Sequence, residues 1–190
     1  MRLLTVLIMI NMLPSPMSPA QDKNRNKPPE TFSANAHVKD DAAAAATTLR
    51  IHIERYANDE ERDKALQALK TGGSSALSAS LRNAPSYGYI EAGKQKWTIR
   101  YARQQSTPKG RTIVAVTDQP MAFIGGAKVN AKPREGYDLA LVQFDVDDVG
   151  LGSGTMAAAA RVKAGGPAGV EVDDYASEPI KLVTVRKLLQ

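Results

Sequence analysis

The sequence predicts an α+β fold: an antiparallel β-meander of about seven or eight strands, forming a bent sheet, a sandwich or a partly closed barrel, with one short helical pair after the first strand. Three observations carry that prediction. Short runs of β-branched and aromatic residues recur between Gly, Pro, Asn and Asp turn signals. Helical periodicity surfaces once, between Asn58 and Leu81, and does not return. A run of strands with a single helical interruption is the pattern of an antiparallel sheet, not of alternating βα units.

The elements follow in order. LRIHIERYA, Leu49 to Ala57, alternates Leu49, Ile51, Ile53 and Arg55 with Arg50, His52, Glu54 and Tyr56, which predicts a half-buried strand. Asn58 stands three residues before Glu61, with Asp59 and Glu60 between them. That is a helix start with its acids at the positive end of the dipole. Ala65, Leu66, Ala68 and Leu69 supply an apolar face, Gly72-Gly73 ends the helix, and Ser74 or Ser75 caps a shorter one that stops before Pro85. Strands are then predicted at Tyr87 to Glu91, Lys96 to Arg103, Arg111 to Thr117 and, weakly, Met121 to Ile124. Leu139 to Val146, Thr155 to Ala164, Val170 to Tyr175 and Ile180 to Lys187 complete the series. Of these, TMAAAARVKA reads either as strand or as helix, because Ala is the best helix former.

The amino terminus, MRLLTVLIMINMLPSPMSPAQ, has the three-part build of a secretory signal peptide over residues 1–20. Its apolar run from Leu3 to Leu13 is 11 residues long, short of the roughly 20 that cross a bilayer. The expected location is periplasmic or extracellular, with no membrane span in the mature chain. With no Cys there is neither a lipid attachment site nor a disulfide, so stability must come from the core. Gln21 to Thr47 carries one aromatic, two adjacent prolines, and four basic against four acidic residues, and reads as a flexible leader with a helical turn at Ala42 to Ala46. Residues 48–190 hold 9 of the 10 aromatics and read as one domain.

The composition excludes several chemistries. Cysteine catalysis is impossible, and His37 and His52 are too few for zinc sites built from His and Cys. His52 lies on the polar face of its strand, where a surface role is the plainer reading than that of a general base. The 16 acids of the domain leave a carboxylate pair open, although spacing alone does not bring two together. FDVDDVGLGSGTM sets Asp145 and Asp147 ahead of Gly150, but Val149 and Met156 stand where a helix-loop-helix calcium loop needs ligands. Its G-x-G-x-G run differs from the G-x-G-x-x-G of a dinucleotide cradle. It reads as a hairpin turn with solvated acids. No catalytic residue, metal ligand or cofactor is assigned.

The clearest bias is basic. From Ala92 to Thr117 there is no acid, while Lys94, Lys96, Arg100, Arg103, Lys109 and Arg111 crowd one presumed hairpin. Alternation puts Trp97, Ile99 and Tyr101 on one face and Lys96, Thr98 and Arg100 on the other. Lys96, Arg100 and Arg111 are therefore candidate ligands for an anionic envelope component or polyanion, with Trp97 either a core anchor or a stacking surface. An exposed basic strand also blocks edge-to-edge aggregation without any ligand. With 20 basic against 16 acidic residues in the domain and no nucleic-acid motif, nucleic acid is not expected as a partner.

ERD (Glu61 to Asp63), LKTGG (Leu69 to Gly73), GYI (Gly88 to Ile90), WTIRYAR (Trp97 to Arg103), TDQP (Thr117 to Pro120) and SEPIKLVTVR (Ser177 to Arg186) together span most of the domain. On these runs the chain resembles a family of uncharacterised exported bacterial proteins. It departs from that pattern at Gln119, where Arg is expected, and at GGAKVNAK, where an aromatic-rich link is expected. The resemblance implies export and a shared fold, and brings no activity, cofactor or catalytic residue. Two functions stay open. One is a noncatalytic exported module that binds a ligand or partner; the other is a small carboxylate-dependent hydrolase acting on envelope glycans or phosphoesters. The scarcity of His and the absence of Cys lean away from an enzyme.

Overall fold

The computed structural model describes residues 27–38, 47–121 and 136–189. The signal peptide, Ala42 to Ala46, all but Met121 of the weak strand prediction, and GGAKVNAK lie outside the described residues. In chain order the elements are β1 (Glu30–Val38), β2 (Thr47–Ile53), α1 (Asp59–Arg82), β3 (Gly88–Ala92), β4 (Gln95–Thr107), β5 (Gly110–Thr117), β6 (Leu139–Val146), β7 (Leu151–Ala164), β8 (Val170–Tyr175) and β9 (Ile180–Leu188).

Every strand pairing is antiparallel. β1 to β6 pair in sequence, β6 pairs with β7, β7 with β9, and β9 with β1. Eight strands therefore close into a barrel. β8 continues the line of β9 along the far half of β7, where Ala160 faces Tyr175 and Ala164 faces Val170. Among the open alternatives of bent sheet, sandwich and barrel, closure is what the pairing produces.

Closure depends on a segment that the sequence reading assigned to the leader. ETFSANAHV is a strand, paired to β2 on one edge and to β9 on the other. Low apolar content misled because only one face of a barrel strand has to be apolar: Phe32, Ala34 and Ala36 are fully buried, whereas Ser33, Asn35 and His37 are not. The leader reading is thus corrected over Glu30–Val38, and the helix follows the second strand rather than the first.

One cross-strand row runs Phe32, Ile51, Ile90, Trp97, and its members point into the barrel. On the opposite face of β2 and β3 lie Arg50, His52, Tyr89 and Glu91, none of them buried. Apolar-in and polar-out is the reverse of a lipid-facing barrel. Phe32 meets Phe144 edge-on at 5.0 Å between ring centroids. β5 is buried from Arg111 to Thr117 without alternation, so both of its faces are covered, and its sequence RTIVAVT is correspondingly continuous. No helix among the described residues is long and apolar enough to cross a membrane.

α1 begins as its sequence predicts. The Asn58 side chain accepts from the Glu61 N–H, and the Glu61 carboxylate accepts from the Asn58 N–H, each at 2.9 Å. Gly72 and Gly73 leave helical geometry, the latter at φ +64°, and break the helix where two were expected. Ala65, Leu69, Leu77 and Leu81 are buried, with β7 as the main neighbour, and Ser74 Oγ accepts from the Val162 N–H at 3.3 Å. Replacing Asn58 with Ala is expected to cost about 0.5–2 kcal/mol, read as a lowered urea midpoint with unchanged slope.

TMAAAARVKA is strand. β6 takes one edge of β7, and β9 followed by β8 takes the other, so ladder bonds on both sides outweigh the helix preference of Ala.

Candidate functional site

The four residues singled out in the basic hairpin do not share a surface. A β-bulge between Ile99 and Tyr101 resets the alternation of β4 partway along. Lys96 stands exposed, its Nζ 3.5 Å from the centroid of the Tyr89 ring. Trp97 is 7% exposed and belongs to the core. Arg111, expected on a solvent-facing strip, is 4% exposed and points into the barrel, because it shares the face of Ile113 and Ala115. Arg100 is half-buried at the rim of a cleft.

Arg111 belongs to a buried ionic cluster centred on Glu30, which is 1% exposed. Glu30 Oε2 accepts from Arg111 Nη1 at 2.8 Å and from the Tyr56 hydroxyl at 2.7 Å. Its Oε1 accepts from Arg111 Nη2 at 2.7 Å and from Lys187 Nζ at 2.6 Å. Gln104 Oε1 accepts a second hydrogen bond from Arg111 Nη1. Burial alone would raise the Glu30 carboxyl, but the bonds from Arg111, Lys187 and Tyr56 outweigh it and hold the group below its ordinary value. Burial, with the neighbouring Glu30 charge, pushes the Tyr56 phenol well up, so it stays a donor. A carboxylate saturated by four donors and fixed in its ionised form is neither a general acid nor an available base. The cluster ties together β1, β5, β9 and the segment after β2.

The cleft at Arg100 is different. It lies between the carboxyl end of α1 and the turn after β5, encloses about 550 Å³, and is lined by Arg82, Thr98, Arg100, Asp118, Gln119 and Asp138 among others. Arg100 is held there from two sides: its Nε donates to Asp118 Oδ2 at 2.9 Å and its Nη1 to the Ala84 carbonyl at 2.8 Å. The turn is itself anchored, since the buried Thr117 hydroxyl donates to the Gln119 carbonyl at 2.6 Å and accepts from the Ala140 N–H at 3.2 Å. A fixed guanidinium at the mouth of an open cleft is a ready anchor for an oxyanion.

No family model, curated protein or solved structure matches this chain. The resemblance to exported bacterial proteins therefore rests on the motifs quoted above, and the site has to be argued from its own geometry.

A second cleft, of about 580 Å³, opens between the β4–β5 and β6–β7 turns and is lined by Thr112, Asp145, Asp147 and Leu151 among others. Its acids are engaged internally. Thr112 Oγ1 donates to Asp145, while Asp147 Oδ1 accepts from the N–H groups of Val149 at 3.0 Å and Leu151 at 2.8 Å. FDVDDVGLGSGTM is therefore a hairpin turn, with Gly150 at φ +84°. The other two glycines serve a purpose the sequence reading did not give them: a Cβ on Gly152 would lie 1.7 Å from the Asp145 carbonyl oxygen, so close strand approach, not positive φ, requires glycine there.

His52 does meet a hydroxyl, its Nδ1 lying 2.8 Å from Thr31 Oγ1. The two are directly paired across β1 and β2, and the His52 ring packs on Tyr89 at 5.0 Å. Neither residue lines either cleft, and the contact is an ordinary cross-strand polar pair.

Sequence reasoning put Thr98 and Arg100 on one strand face and missed Arg82, Asp118 and Asp138 as their companions. These three come from α1 and the stretches flanking β5 and β6, separated by up to 56 positions between Arg82 and Asp138. No local spacing joins them. The Thr-Asp-Gln-Pro turn was the one local sign.

Proposed function

We propose that the protein is an exported, noncatalytic module that binds a ligand in the cleft between the end of α1 and the turn after β5. The observation that carries this reading is the double fixation of Arg100 by Asp118 and the Ala84 carbonyl at the cleft mouth. Among the described residues, Phe32, Ile51, Ile90, Ile99, Ile113 and Phe144 occupy the barrel interior, each at most 1% exposed. An eight-stranded barrel is just wide enough to be filled by its own side chains or to hold one small ligand, and here large apolar side chains point into that space. Binding then takes place outside.

A hydrolase reading is favoured by one fact, that Asp118 and Asp138 line the same cleft. Asp118 Oδ2 is already taken by Arg100, which suits a carboxylate that orients a guanidinium better than one that attacks a substrate. Turnover abolished by Asp138→Asn would favour this second reading.

The direct test is a thermal-shift panel of envelope-derived small molecules, run on the protein and on Arg100→Ser. The expected result is at least one ligand that raises the midpoint of the first and not of the second. Ligands that stabilise both equally would place binding elsewhere. Export has a separate check: amino-terminal sequencing of protein recovered from the periplasm or medium is expected to begin at Gln21, and recovery only of an intact residue 1 would contradict it.

A further inference from the structure

We infer that the ligand carries a carboxylate or phosphate group, which the cleft grips between Arg82 and Arg100; the inference rests on the cleft being the binding site proposed above. Both guanidiniums line the same opening. Arg100 has Nε and Nη1 engaged by the protein, which fixes the plane of the group while leaving the Nη2 edge without a partner among the described residues. Arg82, in the last turn of α1, is exposed and makes no ion pair among the described residues.

The opening is lined by two arginines and two aspartates. Asp118 is already matched with Arg100. Arg82 and Asp138 make no ion pair with each other among the described residues, which leaves Arg82 for an acidic group of the ligand and Asp138 for a donor on it. Thr98 and Gln119 also line the opening and carry uncharged side chains able to hydrogen-bond. An opening of about 550 Å³ suits one small molecule. A polyanion would need a continuous cationic track, and the inward turn of Arg111 removes one from this hairpin.

The test is a two-dimensional NMR titration of the protein with inorganic phosphate in one arm, succinate in a second and methyl glucoside in a third. Saturable shifts are expected at Arg82, Thr98, Arg100 and Gln119 with at least one of the anions. Comparing the first two arms separates phosphate from carboxylate. Arg82→Ser, at an exposed position, should leave the rest of the spectrum in place and weaken anion binding at least about tenfold. Arg100→Lys keeps the charge but loses the fork and should weaken it by a similar factor. Unchanged affinity in Arg82→Ser, or no saturable shift with either anion, would overturn the inference. If the glucoside alone shifted the cleft residues, the anion inference would fall and the cleft would stand. Saturable shifts confined to another surface would remove both.

Discussion

Glu30→Gln is expected to destabilise the fold by about 3–5 kcal/mol, the range for breaking a buried ion pair from one side. The substitution keeps the shape of the side chain and removes its charge. It leaves Arg111, 4% exposed, without its anion, and turns an amide N–H₂ toward donors that bonded to a carboxylate oxygen. Replacement of a surface carboxylate in the same protein, such as Glu60, should change stability by no more than about 0.5 kcal/mol. Urea unfolding of the three proteins at pH 7 makes the comparison, and a Glu30→Gln loss below about 1 kcal/mol would mean that the cluster does little to stabilise the barrel.

The same pair of proteins carries a pH signature. Glu30 is held below its ordinary value of 4.5, so its contribution is fully present above that pH and is lost as pH falls through the lower folded value. The gap between wild type and Glu30→Gln should therefore be flat from pH 7 down to about 5 and narrow below pH 4.5. A gap that widened in acid would reverse the sign and contradict the ionised, four-donor carboxylate.

The other large effect is expected at Gly152→Ala. The added methyl would sit 1.7 Å from the Asp145 carbonyl oxygen and 2.8 Å from its carbon. These are backbone atoms in the β6–β7 ladder, where Asp145 faces Ser153 and Val146 faces Gly152, so no rotamer change relieves the clash. The two strands must separate at the seam between the β6 half of the barrel and the β9 edge. A loss of about 3 kcal/mol or more is expected, at the upper end of overpacking effects, with loss of hydrogen-exchange protection at residues 143–146 first. Near-neutral stability would show that the strands can part there at little cost.

Much of the fold is legible in the sequence because its signals are local. The Asn58 to Glu61 capping box, the Gly72-Gly73 break and the strands Leu139 to Val146 and Val170 to Tyr175 each follow from neighbours within a few positions. β1 is the instructive failure. Its alternation of Thr31, Ser33, Asn35 and His37 with Phe32, Ala34 and Ala36 is visible in ETFSANAHV, but two of the three apolar positions are Ala, and composition alone assigns the stretch to the leader. What makes it a strand is pairing on both edges, one of them with β9 near the other end of the chain.

The site was less legible for the same reason. Glu30 and Arg111 lie 81 positions apart and become partners only when the barrel closes. Arg111 reads as a surface cation until closure turns its face inward; Trp97 reads as ambiguous until its row with Phe32, Ile51 and Ile90 is formed. Of the basic hairpin's cations, Arg100 lines the cleft at the end of α1 and Lys109 the one beside the β6–β7 turn, and the orientation of Arg100 depends on Asp118 and on the chain just past the end of α1.

The ligand is expected to bind outside the barrel, at the cleft holding Arg82 and Arg100. A crystal structure of the protein grown with the strongest stabilising ligand of the thermal-shift panel tests it most directly. Ligand density is expected within hydrogen-bonding distance of Arg100, with Phe32, Ile51 and Phe144 undisturbed. Density within the barrel in place of those side chains, or in the cleft beside Asp145 and Leu151, would contradict it.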